Sequence, residues 1–231
     1  MTGGTLGAVE MRRLRVFIFD LDGTLVDSRL DLANAVNATR AWLRLPPISP
    51  DEIAGYVGQG APTLVRRALG SAAPEEVIEG ALARFLGYYR EHMLDNTVAY
   101  PGVREGLERL AGGGRDLTVL TNKPARFSQR ILNGLGLGGF FRAVYGGDSF
   151  ERKKPDPMGV EAILSEAGAA KDEAIVVGDS EIDVLAARRA GVRVCGVSYG
   201  LGSHRLRDDP PDLIVDSLAD LAALVLAERC G

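Results

Sequence analysis

The sequence predicts an α/β protein whose core is a doubly wound, Rossmann-like parallel sheet, with a small helical domain inserted after the first strand. Three observations lead to this prediction. An apolar run near the start of the chain ends abruptly at acidic residues. The following segment, residues 29–98, has a mostly helical pattern. From residue 101 onward, short apolar runs alternate with helical patterns, as expected where helices connect parallel strands.

The composition is that of a globular protein that binds neither nucleic acid nor a membrane. Of the 231 residues, 46% are hydrophobic, which is enough for a packed core. The 31 acidic residues outnumber the 27 basic ones without any basic block, which argues against nucleic acid as the main partner. No apolar stretch approaches membrane-spanning length, and residues 1–10 lack a targeting pattern. The two cysteines, Cys195 and Cys230, indicate no disulfide framework, so we expect a cytoplasmic protein.

The first strand is predicted from the apolar run at 14–18. Asp20 and Asp22 follow it, and side chains two apart on an extended segment point to the same side. Gly23 then permits a sharp turn. Ligands of open α/β sheets bind beyond the carboxyl ends of the strands, and two neighbouring carboxylates are stabilised by a cation. The alternative is a simple turn at 22–23 with Asp20 as a cap.

The inserted segment contains helices predicted at 29–43, 60–69 and 74–94. Pro46 and Pro47 end the first of them, and Trp42 is expected in the core of this helical bundle. Residues 100–102, Tyr-Pro-Gly, are the predicted hinge that returns the chain to the main domain. The predicted domains are therefore 11–28 with 99–231 for the core and 29–98 for the helical insertion.

Strands and helices alternate in the rest of the chain. The predicted strands are 117–121, 142–145, 174–177, 192–197 and 213–215, and the predicted helices are about 102–112, 125–135, 158–167, 181–190 and 217–228. Helices of this length between strands require right-handed crossovers, which give a parallel, doubly wound sheet.

Three further segments place polar groups where predicted strands or loops end. Thr121 and Asn122 could hold phosphoryl oxygens, or could form an ordinary strand-to-helix turn capped by Asn122. Lys154 is the only cation expected in the site, although a basic run is more often a solvated face. Asp179 and Asp183 lie four residues apart where a helix begins, so both can face one point or simply cap that helix.

These segments, together with the opening acids, resemble the four motifs of the haloacid dehalogenase-type phosphohydrolase superfamily, in the same order. The matching segments are 19–28, 119–124, 152–157 and 177–183. The resemblance implies that residues 29–98 form a helical cap domain. It also implies a Mg²⁺ cofactor, a metal that prefers oxygen ligands. The implied ligands are the Asp20 and Asp179 carboxylates and the Asp22 backbone carbonyl. Asp183 would orient the metal site.

The resemblance implies chemistry through an aspartyl-phosphate. Asp20 would attack phosphorus, and Asp22 would protonate the departing oxygen and then activate water. We expect the Thr24 hydroxyl to hold Asp22 in place. Thr121, Asn122 and Lys154 would bind the phosphoryl oxygens.

Within the superfamily, nearly the whole chain from residue 14 is similar to phosphoglycolate phosphatases, so we expect a small phosphorylated metabolite as the substrate. In the cap, Gly58, Gln59 and Gly60 would approach the substrate, and Arg66 or Arg67 could meet the glycolate carboxylate. A pyrophosphatase, a sugar-phosphate phosphatase or a phosphomutase would carry the same motifs. A non-catalytic, receiver-like phospho-aspartate module would also have an acidic pocket, but has no need of the insertion. A monomer and a homodimer are both compatible with the sequence.

Overall fold

The computed structural model describes residues 8–70 and 72–227. Cys230, most of the N-terminal segment without a match and the predicted end of the last helix lie outside the described residues. No helix within them is long and apolar enough to cross a membrane.

Six parallel strands form the main sheet, which confirms the predicted fold class. The strands within residues 8–70 and 72–227 are β1 (Val16–Phe19), β2 (Val26–Asp27), β3 (Val98–Ala99), β4 (Asp116–Leu120), β5 (Ala143–Tyr145), β6 (Ala174–Gly178), β7 (Arg193–Val197) and β8 (Leu213–Val215). The main sheet has the order β5-β4-β1-β6-β7-β8, with every neighbouring pair parallel. Strand β1 is central, so the residue after it lies in the middle of one sheet edge.

Helices cover both faces of this sheet. The α-helices of the described residues are α1 (Ala8–Arg13), α2 (Arg29–Trp42), α3 (Pro50–Ala54), α4 (Ala61–Leu69), α5 (Glu75–His92), α6 (Val103–Gly112), α7 (Ala125–Gly134), α8 (Met158–Ala167), α9 (Glu181–Ala190) and α10 (Leu218–Leu226). Phe17 and Phe19 pack with residues of α6, α7 and α10, whereas Val16 and Ile18 pack with residues of α8 and α9. Both faces of β1 are buried, which explains its uninterrupted apolar sequence.

Helices α2 to α5 lie between β2 and β3, which pair as a short antiparallel ribbon at the base of the insertion. The buried carboxylate of Asp31 on α2 reinforces this base. It accepts hydrogen bonds from the backbone N–H groups of Asn96 and Thr97 and from the Thr97 hydroxyl, at 2.7–3.0 Å. The start and the end of the insertion are therefore fastened together.

Two expectations for the insertion need correction. Trp42 is 54% exposed rather than in the core. The buried face of α2 runs through Val36 and Thr39 to the partly buried Leu43, and one residue of helix rotation turns Trp42 away from it. Helix α3 was not predicted, because five residues are too few to show periodicity. Ser49 caps its start, and the Ser49 hydroxyl accepts a hydrogen bond from the Glu52 N–H at 3.2 Å.

Candidate active site

The polar residues of three neighbouring strands meet at one edge of the sheet. Asp20 directly follows β1, Thr121 follows β4 and Asp179 follows β6. Strands β4 and β6 pair with β1 in parallel register, so their carboxyl ends lie side by side. This geometry brings together residues that are far apart in the sequence.

Three carboxylates form a buried cluster at this edge. Oxygen atoms of Asp20, Asp179 and Asp183 lie within 4.8 Å of one another. Lys154 Nζ donates hydrogen bonds to Asp20 Oδ1 at 2.9 Å and to Asp183 Oδ1 at 2.7 Å. Burial lowers the pKa of Lys154, but the two carboxylates together raise it by more than burial lowers it. The net shift is upward, so the ammonium stays charged.

One ammonium does not neutralise three carboxylates. The pKa of Asp20 is raised to about 6, because burial and the Asp183 and Asp22 carboxylates together outweigh the lowering effect of Lys154. Burial and the same neighbour, Asp183, raise the pKa of Asp179 well above its ordinary value. These shifts mean that the charged cluster is costly without a further cation. A set of carboxylate oxygens is the donor chemistry that Mg²⁺ prefers, so the residues present fit this metal.

The surrounding backbone fixes the acidic side chains. At the start of α9, Ser180 donates to Asp183 Oδ2 through its hydroxyl at 2.8 Å and its N–H at 3.2 Å. The N–H of Gly202 donates to Asp179 Oδ2 at 2.7 Å. Gly23 has a φ of +88°, and a Cβ atom there would lie 2.2 Å from Asp179 Oδ2. The turn after Asp22 therefore has to be made by glycine for Asp179 to occupy its position.

Asp22 has partners that differ from the expected ones. Lys123 Nζ lies 2.7 Å from both of its carboxylate oxygens, and the Ser28 hydroxyl donates to Oδ1 at 2.5 Å. The prediction that the Thr24 hydroxyl holds Asp22 is wrong, because this buried hydroxyl has no hydrogen-bond partner in the described part of the chain. The prediction that Lys154 is the only cation of the site is also wrong. Lys123 directly follows the polar pair at 121–122, which was the available signal for it.

Asn122 joins the insertion to the core. Its side-chain N–H₂ group donates to the backbone carbonyls of Gly58 and Lys154, both at 2.9 Å. A Cβ atom on Gly60 would lie 3.1 Å from the backbone oxygen of Asn122. The loop before α4 thus closes against the core beside the carboxylate cluster.

A cavity lies beneath this loop. Asp20, Asp22 and Thr121 line its floor on the core side. Apolar residues of the insertion and of α7 line its walls: Leu32, Val57, Leu64, Phe85, Leu86 and Phe127. Mostly apolar walls with a few polar groups at one end are typical of small-molecule sites.

Of the cap residues predicted to contact substrate, Gly58 and Gly60 line this cavity, and Gln59 and Arg66 do not. Arg66 is half-exposed and forms an ion pair with Glu75 at 2.6 Å. Gln59 accepts a hydrogen bond from the exposed Arg67 at 3.1 Å. The prediction that Arg66 meets a substrate carboxylate is therefore wrong for this conformation. Its place on the outward face of α4, which buries Leu64, Val65 and Ala68, explains why.

Comparisons with known proteins agree with this geometry. The family model described as haloacid dehalogenase-like hydrolase matches residues 17–197, a segment that contains all four motifs. The chain is 41% identical over 214 residues to phosphoglycolate phosphatase 1 of Pseudomonas aeruginosa, covering 90% of this chain and 78% of that protein. It is 42% identical, with the same coverage, to a phosphoglycolate phosphatase of Pseudomonas savastanoi.

A solved structure is also similar over most of the chain. It is a crystal structure described as a predicted phosphoglycolate phosphatase from Haemophilus somnus. The TM-score is 0.86 at 34% sequence identity, and the match covers 90% of this chain and 96% of the other. The similarity therefore includes both the sheet and the inserted helices.

Proposed function

The chain belongs to the haloacid dehalogenase-like hydrolases and, within them, to the phosphoglycolate phosphatase family, and we propose that it hydrolyses 2-phosphoglycolate to glycolate and phosphate. The observation that carries this proposal is the buried cluster of Asp20, Asp179 and Asp183 around Lys154, next to a cavity between the core and the insertion. The names of the relatives support the choice of substrate.

The proposed cofactor is Mg²⁺. Its ligands are the Asp20 and Asp179 carboxylates and the backbone carbonyl of Asp22, and Asp183 holds Lys154 beside them. When bound, the metal adds positive charge next to the phosphoryl oxygens. The three buried carboxylates support this assignment, because the single ammonium of Lys154 leaves excess negative charge that a cation would neutralise.

The proposed reaction has two steps. Asp20 attacks phosphorus, the bond from phosphorus to the ester oxygen breaks, and Asp22 gives that oxygen a proton. Asp22 then takes a proton from a water molecule, which attacks the phosphorus of the aspartyl-phosphate and releases phosphate. The position of Asp22, which reaches into the cavity from the core side as Asp20 does, supports these separate roles.

Thr121 and Lys154 would bind the phosphoryl oxygens. Thr121 Oγ1 accepts a hydrogen bond from the Lys123 N–H at 3.3 Å, so its own proton is available for donation. Lys154 Nζ has three protons, two of which are directed at Asp20 and Asp183. Donors fixed in advance in this way stabilise charge that develops in the transition state.

Residues 29–98 would act as the cap that closes over the leaving group. The contact of Gly58 with Asn122 and the walls supplied by Leu64 and Phe85 support this role. Closure excludes water from the reacting centre, and groups beyond the phosphoryl site determine which leaving alcohol fits.

A kinetic panel tests the proposed function. We would measure kcat/KM with Mg²⁺ for 2-phosphoglycolate, pyrophosphate, p-nitrophenyl phosphate and glucose 6-phosphate on one preparation. We expect 2-phosphoglycolate to have the highest value. A panel led by pyrophosphate or the sugar phosphate would contradict the proposed substrate, and no hydrolysis of any ester would contradict the phosphatase itself.

A further inference from the structure

One buried cation faces the part of the cavity that would hold the leaving group. Lys123 is the only basic residue among the described residues that line the cavity, and its side chain is 7% exposed. The walls around it include the apolar side chains of Leu86 and Phe127, and Lys123 itself is largely shielded from solvent. A charge in such surroundings attracts an opposite charge more strongly than it would in water.

The donors of Lys123 are not all used. An ammonium group has three N–H donors, and two contacts at 2.7 Å join Nζ to the two oxygens of Asp22. The same Nζ lies over the ring of Tyr89, 4.8 Å from its centroid. The Asp22 carboxylate, 2.7 Å from Nζ, favours the charged form of this ammonium.

Tyr89 supplies a second free donor at the same place. It lines the cavity and is 1% exposed, and its hydroxyl, next to Lys123, finds no acceptor for its own proton within the described residues. Burial raises the pKa of Tyr89 to about 12, so the hydroxyl keeps its proton. A buried hydroxyl proton without an acceptor is costly, and an acceptor on a ligand would remove that cost.

We propose that Lys123 and Tyr89 together bind the carboxylate of the leaving group and select phosphate monoesters that carry an acidic group close to the ester oxygen. The inference rests on the proposed function and specifies it. Lys123 touches Asp22, the group proposed to protonate the ester oxygen, and in 2-phosphoglycolate one CH₂ group separates that oxygen from the carboxylate. A neutral alcohol of the same size offers the ammonium a hydrogen-bond acceptor but no opposite charge.

A matched pair of substrates and variants tests this inference. We would compare kcat/KM for 2-phosphoglycolate and for 2-hydroxyethyl phosphate, which replaces the carboxylate with a neutral hydroxymethyl group. We expect the wild type to prefer 2-phosphoglycolate by about 100-fold or more, because the neutral analogue leaves the buried donors of the carboxylate site without their charged partner. Lys123→Met should reduce this preference to about threefold or less, and Tyr89→Phe should reduce it by about fivefold to tenfold.

The ratio of kcat/KM for the two esters distinguishes binding of the substrate carboxylate by Lys123 from positioning of Asp22 by Lys123. If Lys123 acts only by positioning Asp22, Lys123→Met lowers kcat for both esters and leaves the ratio unchanged, which would overturn the inference. Tyr89→Phe keeps the ring and its packing, so it provides the test even if Lys123→Met does not fold. An unchanged ratio in Tyr89→Phe would show that the Tyr89 hydroxyl does not bind the substrate carboxylate.

A binding measurement completes the test and keeps it distinct from the proposed function. In an Asp20→Asn background, Lys123→Met should raise Kd for 2-phosphoglycolate by about tenfold or more and leave Kd for 2-hydroxyethyl phosphate within about twofold. A wild type that prefers the neutral ester would contradict the substrate and the carboxylate site together. A wild type that prefers 2-phosphoglycolate, with the same preference in Lys123→Met, would contradict the carboxylate site alone.

Discussion

The hydroxyl of Ser28 lies 2.5 Å from Asp22 Oδ1 and is fully buried. Ser28→Ala removes this hydrogen bond, so the Asp22 carboxylate loses part of its orientation towards the ester oxygen. We expect kcat for 2-phosphoglycolate to fall by about tenfold while KM changes little.

Thr24→Val is the matched control for this prediction. It also removes a buried hydroxyl from the same loop, but that hydroxyl has no hydrogen-bond partner among the residues that the structure describes. We expect kcat within about twofold of the wild type and a melting temperature that is unchanged or higher. Equal losses in the two variants would show that Ser28 does not hold Asp22.

Gly23→Ala should remove activity by displacing Asp179. A Cβ atom at Gly23 would lie 2.2 Å from Asp179 Oδ2, and the left-handed φ of +88° adds backbone strain. We expect kcat/KM to fall by about 100-fold or more, because the carboxylate cannot remain in its position.

Gly114→Ala provides the control for the backbone strain. Gly114 has a φ of +72°, and no atom lies within 4 Å of a Cβ built there. We expect a loss of about 1–2 kcal/mol in the free energy of unfolding and an unchanged kcat/KM. A similar loss of activity in both variants would mean that strain, and not contact with Asp179, is responsible.

Metal binding should stabilise the folded protein. Mg²⁺ at about 100 times its Kd should add about 2.7 kcal/mol to the free energy of unfolding. A chelator should remove both this stabilisation and the activity, and Ca²⁺ should restore activity poorly because it tolerates looser coordination. Thermal unfolding followed with and without metal tests this, and full activity in excess chelator would contradict the metal assignment.

Asp179→Asn should weaken metal binding without destabilising the folded protein. Burial raises the pKa of Asp179, which means that its ionised form is costly in the metal-free protein. The amide keeps an oxygen for the Gly202 N–H and carries no charge. We expect a higher melting temperature without metal and no further increase when Mg²⁺ is added. A large increase with Mg²⁺ in this variant would show that Asp179 is not a ligand.

The sequence was most informative where one residue pattern has one structural meaning. A buried parallel strand such as β1 is an unbroken apolar run, and its end is marked by Asp20. The helices longer than two turns show their periodicity directly. Helix α3 and the strands β2 and β3 have too few residues for a period, and depend on tertiary contacts.

Side-chain partners were harder to predict than positions. Thr24 and Ser28 are both hydroxyl residues within one short loop, and only the turn geometry determines which reaches Asp22. Arg66 and Lys123 are both cations near predicted site residues. The register of α4 directs Arg66 outward, whereas Lys123 follows a buried strand and stays inside. Such choices follow from the packed fold, and the one local signal was the position of Lys123 directly after the polar pair at 121–122.

The most direct test of the account is to trap the phosphorylated enzyme. Wild type, Asp20→Asn and Asp22→Asn would each be mixed with ³²P-labelled p-nitrophenyl phosphate, whose leaving group needs little protonation, and quenched in acid. We expect label on Asp20 in Asp22→Asn, where the second step is blocked, and none on Asp20→Asn. Label on Asp20→Asn, or turnover of that variant within about tenfold of wild type, would contradict the central role of Asp20.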